Sequence, residues 1–313
     1  MKRYKMTKGN PTFCKKLCAI TGRRFKVFFR EPRQWALVVA PFINICNIIL
    51  MTHGFEKLML AIGLVVKKVN KMQGSDATIN DHKSMLYLNA EAENQMEAGL
   101  AHVFPFIVNF GFSCCSGIYM MTPLGERENK TRSILSLNGV GSLVYYLGLF
   151  LGDIILYVPA MGTLVSIIWI FKVTRYAANI GGLMIASAGF GPALITCTYF
   201  LSNMFKTNNE GVICLVILYL LASNLLPMCV TSYWSFSPVK HDLFYIIHTF
   251  CYFTNPFYTF FMTNYSFIKK LTEEPHVYME LWRGESLTPI WSLYSSLWQF
   301  FMYGGLTVWL DYR

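Results

Sequence analysis

Charge is scarce in this chain. Asp, Glu, Lys and Arg together make up 14% of its 313 residues, against about a quarter in a soluble globular domain. Hydrophobic residues reach 54%, so the composition points to a surface that faces lipid rather than water. Polar stripes at helical spacing are missing as well. Residues 212–231 carry no charge and no such stripe, which argues against a large soluble protein with buried helices.

Other absences narrow the chemistry. The polar stretch 54–100 has no cysteine, although the chain has nine, so no disulfide-stapled ectodomain is encoded there. Cys14 and Cys18 have helical spacing, but no second Cys or His pair follows to complete a zinc site. Adjacent Cys114 and Cys115 cannot easily pair within a helix and read as packing. A phosphate-binding loop needs glycine at two set positions before Lys-Ser/Thr. In the nearest string, Leu124 to Thr131, those positions hold Leu124 and Asn129, so ATP binding by that motif is not expected. No Ser-His-Asp order and no His-Glu-x-x-His string occurs, and the six histidines fall mostly in loops or at span edges. The expectation is therefore no catalytic residue, no metal, no cofactor and no enzyme activity of its own.

Positive charge, by contrast, is concentrated. Eleven of the 27 basic residues lie in the first 33 positions, where Glu31 alone opposes them. A basic block ending where the first apolar run begins marks a cytosolic N-terminus, and it can hold anionic headgroups. No nucleic-acid reading module accompanies it, so the net charge of +10 does not imply nucleic acid. Residues 13–30 interleave Lys and Arg with apolar residues, the pattern of an amphipathic helix lying in the membrane interface. The chain thus divides into a basic cytosolic or interfacial segment, 1–33, and a polytopic domain, 34–313, with 54–100 as an extracytosolic loop.

Apolar runs near the length that crosses a hydrocarbon core fall at Trp35–Met51, Ala101–Met121, Ser142–Phe171, Gly182–Met204, Val212–Ser232 and Pro289–Leu310. Gly189, Gly191 and Pro192 suggest a break or a close helix contact in the fourth. Residues 243–267 are apolar but interrupted by Asn255-Pro256. Two half-length helices entering and leaving one leaflet keep both termini on the cytosolic side. The expected fold is all-α and integral to the membrane, with six transmembrane helices, an N-terminal interfacial helix and a re-entrant helical hairpin before the last span.

Between the second and third spans lies a charged connection. Thr122 can cap a helix whose first position is Pro123, with Glu126–Lys130 and Glu128–Arg132 pairs at i,i+4. Asp153 is the one acid within an apolar span. Such a residue suggests function, but no basic partner is visible in the spans, which favours a structural, hydrogen-bonded carboxylate. Phe253, Phe257 and Tyr258 belong to an aromatic cluster that suits an interfacial belt, with lipid contact as the sharper alternative.

The run Gly125-Glu126-Arg127-Glu128-Asn129-Lys130-Thr131-Arg132, followed by Leu137-Asn138-Gly139-Val140 and by Asp153, Tyr157, Val158, Pro159 and Ala160, resembles the second transmembrane half of subfamily A of the ATP-binding cassette transporters, which move lipids. Similar order recurs from Gly191-Pro192 to Phe205-Lys206 and from Leu306 to Arg313, so the likeness runs nearly end to end. Gly152 stands where that family has Trp, and the loop 54–100 is short where the family has a large disulfide-bonded ectodomain. The resemblance implies an ABC-2 type exporter membrane domain. It makes 123–132 and 205–210 coupling helices against ATPase domains, through Pro123, Glu126, Arg127, Glu128, Lys130, Arg132, Phe205 and Lys206. Residues 1–313 hold no ATPase motif, so those domains and the second membrane half would lie on other chains or on further sequence. The expected function is the membrane domain of an ATP-driven lipid or amphiphile transporter. The alternative is a structural membrane subunit that keeps this fold without transporting. A channel or carrier is disfavoured because the spans offer few polar residues.

Overall fold

The computed structural model describes residues 12–31, 105–170, 180–230, 242–269 and 288–312. The first expected span and the loop 54–100 lie outside the described residues. Every regular element among those described is helical. We label them α1 (Phe13–Arg30), α2 (Pro105–Glu128), α3 (Thr131–Leu137), α4 (Ser142–Ile170), α5 (Ile180–Ser202), α6 (Asn208–Val230), α7 (Asp242–Thr254), α8 (Pro256–Lys269) and α9 (Thr288–Tyr312).

Helices α2, α4, α5 and α6 are long and apolar enough to cross a bilayer. The 29 residues of α4 make it about 44 Å long, well beyond a hydrocarbon core of about 30 Å. With 25 residues, α9 is also long enough, but it buries Ser292, Ser295, Ser296, Gln299 and Thr307. It lies along α5.

The core is aromatic where α2, α5 and α8 meet. Phe190 stacks on Phe260 at 4.3 Å between ring centroids, and Phe112 meets both rings edge-on. Helix α5 is not broken at its glycines and proline; it closes on its neighbours. A Cβ at Gly191 would stand 2.3 Å from the Tyr157 ring of α4, and one at Gly189 would stand 3.0 Å from Ser296 of α9. Only glycine admits helices at that separation.

Helices α7 and α8, of 13 and 14 residues, are each about 20 Å long and too short to cross alone. His248 Nδ1 and the Tyr258 hydroxyl are 2.8 Å apart, although ten residues of continuous helix would separate them by about 15 Å. The chain therefore folds back between them, at Asn255. That residue caps α8: its Oδ1 accepts from the amides of Phe257 (3.0 Å) and Tyr258 (3.3 Å), with Pro256 at the first helical position.

The connection after α2 differs from expectation. No helix starts at Pro123; α2 runs through Thr122 and Pro123 to Glu128, and the short helix is α3 instead. Lys130 adopts a left-handed conformation (φ 56°) between them. That kink destroys the i,i+4 geometry, so Glu126 and Glu128 find other partners.

Candidate functional site

The first cluster joins α1 to the spans. Ile20, Arg24 and Phe28 recur every four residues and form the buried face of α1. That face lies on α4 over Gly148 and Gly152, which share one side of their helix. A Cβ at Gly148 would be 2.8 Å from the Ile20 side chain, and one at Gly152 would be 2.8 Å from Arg24 Cγ. The Thr21 hydroxyl donates to the Gly148 carbonyl at 3.0 Å. Through this groove Arg24 reaches Asp153, Nε to Oδ1 at 2.6 Å, with both side chains fully buried. The Tyr199 hydroxyl of α5 donates to Asp153 Oδ2 at 2.5 Å, and Arg24 Nη2 donates to the Ile118 carbonyl of α2 at 3.2 Å. Asp153 thus has the basic partner that was not visible in the spans. It comes from the amphipathic segment, whose buried stripe contains a charge at its centre.

A second cluster gathers the residues around the helix ends. Arg127 donates through Nη2 to the Ser202 carbonyl (2.8 Å) and hydroxyl (2.9 Å) at the end of α5. Glu128 accepts the Asn208 amide at 3.1 Å, at the start of α6. The segments 123–132 and 205–210 are therefore in contact, through Glu128 and Asn208, 80 positions apart. Arg132 turns inward and grips the last turn of α9: Nη2 and Nε reach Asp311 Oδ2 at 2.5 and 3.2 Å. It also donates to Ser142 (3.0 Å) and the Val140 carbonyl (3.2 Å), and its guanidinium lies 4.5 Å above the Tyr145 ring. Glu126 pairs with Arg23 of α1 at 3.2 Å instead of Lys130.

Not all of these residues can meet a partner. Pro123 and Arg132 are buried, and Phe205 packs against Gly211. Glu128, Lys130 and Lys206 are exposed. So are Ile134 (57%) and Leu137 (88%) of α3 and Met204 (65%) in the α5–α6 turn, none of which the charge pattern singled out. An apolar side chain at the polar end of a helical bundle is a better docking handle than a paired charge.

The third cluster is a polar seam that hydropathy missed. A π turn, Leu221–Leu225, interrupts α6 and frees backbone carbonyls, as such turns do. Asn255 Nδ2 donates to the Ala222 carbonyl at 3.2 Å, and Asn109 Nδ2 to those of Ser223 and Phe257 at 3.1 Å. Gln299 of α9 donates to the Tyr252 carbonyl (2.9 Å) and the Thr259 hydroxyl (3.0 Å). These side chains fix the α7–α8 turn between α6 and α9. Phe257 and Tyr258 are fully buried beside it, which corrects the expectation that they face lipid or an interfacial belt. Both rings fill space beneath the turn, because Asn255 folds their helix inward. Phe253 remains half-buried.

Among the described residues no group of three His, Cys, Asp or Glu could hold a metal ion, and the described cysteines are all free. No protein-family model matches the chain. It is 26% identical over 240 residues to ATP-binding cassette sub-family A member 17 of Rattus norvegicus, a match covering 71% of this chain and 13% of that protein. It is 23% identical over 229 residues to the protein of the same name from Mus musculus, covering 69% of this chain and 13% of that protein. The chain therefore has the apolar helices of an integral membrane protein, and in sequence it is similar to a minor stretch of a subfamily A ATP-binding cassette protein.

Proposed function

We propose that this chain is a membrane domain of an ATP-driven lipid or amphiphile transporter, similar to the second half of a subfamily A protein and coupled to ATPase domains on another chain or on further sequence. In this reading the chain crosses the bilayer six times, α7 and α8 form the re-entrant hairpin, and both termini lie on the cytosolic side with α3. It supplies no catalysis of its own.

One observation carries the reading. The short helix α3 exposes Ile134 and Leu137 while its neighbours are tied to several spans at once. Arg132 holds the end of α9, Arg127 the end of α5 and Glu128 the start of α6. A displacement of α3 by a soluble partner is therefore delivered to α2, α4, α5, α6 and α9 together, which is what a coupling element must do. The similarity to the rat and mouse proteins supports an ATPase as that partner.

The test is to purify the native assembly in mild detergent and identify every co-purifying chain by mass spectrometry. A stoichiometric ATP-binding cassette ATPase is expected. A stable assembly without one would leave the other reading, a structural membrane subunit that keeps the fold and lacks the engine.

A further inference from the structure

Between α1 and the α2–α4 connection lies a cleft of about 300 Å³, at the lower end of the range, about 300–1,000 Å³, of small-molecule sites. Its floor is apolar, formed by Ile20, Leu135, Val140 and Leu149. Its rim carries Lys15, Lys16, Arg23 and Asn138. The charges on this rim are not equivalent. Glu126 balances Arg23, and Asp153 balances Arg24 deeper in the cleft. Lys15 and Lys16 have no carboxylate within ion-pair distance among the described residues. Lys16 donates to the neutral Gly139 carbonyl at 2.8 Å, which holds its ammonium at the mouth without neutralising it.

We propose that this cleft binds an anionic phospholipid, its phosphate between Lys15 and Lys16 and its glycerol and first methylenes over the apolar floor. A floor of aliphatic side chains under a cationic mouth matches an amphiphile better than a free anion, which gains nothing from apolar surface. The occupant stabilises α1 on α4 from outside the bundle interior and needs no ATPase. Its binding can therefore fail while the transport reading stands, and the reverse.

The test is calorimetric titration of the purified, detergent-solubilised protein with dioctanoyl phosphatidic acid, dioctanoyl phosphatidylcholine and inorganic phosphate. Saturable binding of phosphatidic acid is expected, with neither of the other two binding comparably. The double variant Lys15→Gln, Lys16→Gln should raise the dissociation constant by about thirtyfold, from two charges near the surface. Lys26→Gln, on an exposed part of α1 away from the cleft, should leave it unchanged. Ala19→Trp, which fills the mouth from its exposed wall without touching a charge, should abolish binding in a protein that elutes as the parent does. Equal binding of inorganic phosphate would make this a free-anion site. Equal loss in Lys26→Gln would make it an unspecific basic surface. Retained binding in Ala19→Trp would place the lipid elsewhere. Each of these results overturns the proposal.

Discussion

The guanidinium of Arg24 and the carboxylate of Asp153 meet at 2.6 Å with neither side chain reaching solvent, across 129 positions of sequence. Two buried charges lose far more hydration than one hydrogen bond returns, so such a pair persists only with further donors and acceptors around it. Here Tyr199 and the Ile118 carbonyl supply them. The consequence is an amphipathic helix fastened to three spans, α2, α4 and α5, at a single point.

Removing one partner should therefore cost more than removing both. Arg24→Leu or Asp153→Leu should each destabilise by about 3–5 kcal/mol, the cost of a stranded buried charge. The double variant should fall well short of the sum, its residual cost being the Tyr199 hydroxyl left without an acceptor, about 1–3 kcal/mol. Thermal melting of the purified protein, followed by size-exclusion recovery, reads this cycle. Additive losses would show that the two charges do not interact.

The groove beneath α1 makes a sharper prediction. Gly152 lies against Arg24, and even a Cβ there would come within 2.8 Å of the arginine stem. Gly152→Trp should displace α1 and expose Arg24 to trypsin, which cannot reach it in the parent. Withdrawing Arg24 strands the Asp153 carboxylate, at about 3–5 kcal/mol, while the aromatic packing of α2, α5 and α8 does not involve α1, so the spans should stay folded. A limited digest with and without the substitution decides it; an unchanged pattern would mean that α1 does not depend on this contact.

Asn255 has two separable roles. Asn255→Asp keeps an oxygen to cap α8 but loses the donor to Ala222, while Asn255→Ala loses both. The alanine variant should cost about 1 kcal/mol for the cap beyond whatever the aspartate costs. Melting temperatures in the order parent, aspartate, alanine are expected. Equal melting temperatures for the two variants would mean that the tie to the π turn, lost in both, and not the cap, sets the bend.

What the sequence made legible follows from range. Apolar runs of span length depend on neighbours alone, and α4, α5, α6 and α9 fall within a few residues of expectation. So do α1 and the interruption at Asn255-Pro256, where a cap residue and a proline stand side by side. The errors lie where partners are distant. Pro123 reads locally as a helix start, but α2 was already under way and simply passes through it. Glu126 and Glu128 sit at i,i+4 from basic residues, yet the left-handed Lys130 separates them, and Arg23 and the Asn208 amide take their place. The partner of Asp153 was hidden because a cation in an amphipathic stretch reads as solvated. The repeat of Gly148 and Gly152 beside Asp153, matching Ile20 and Arg24 at the same spacing, is the signal that could have revealed it. The seam of Asn109, Asn255 and Gln299 had no such signal, since its residues are single polar positions in separate apolar runs.

The measurement that tests the central claim most directly is the ATPase activity of the native assembly with α3 altered. Ile134→Asp and Leu137→Asp replace exposed side chains, so the membrane domain should fold and elute as the parent does. The account predicts that the parent assembly hydrolyses ATP in a lipid-stimulated manner. The variants should lose that stimulation about tenfold or more, as truncated interface anchors do. Full lipid-stimulated activity in both variants, or an assembly with no ATPase activity at all, would contradict it.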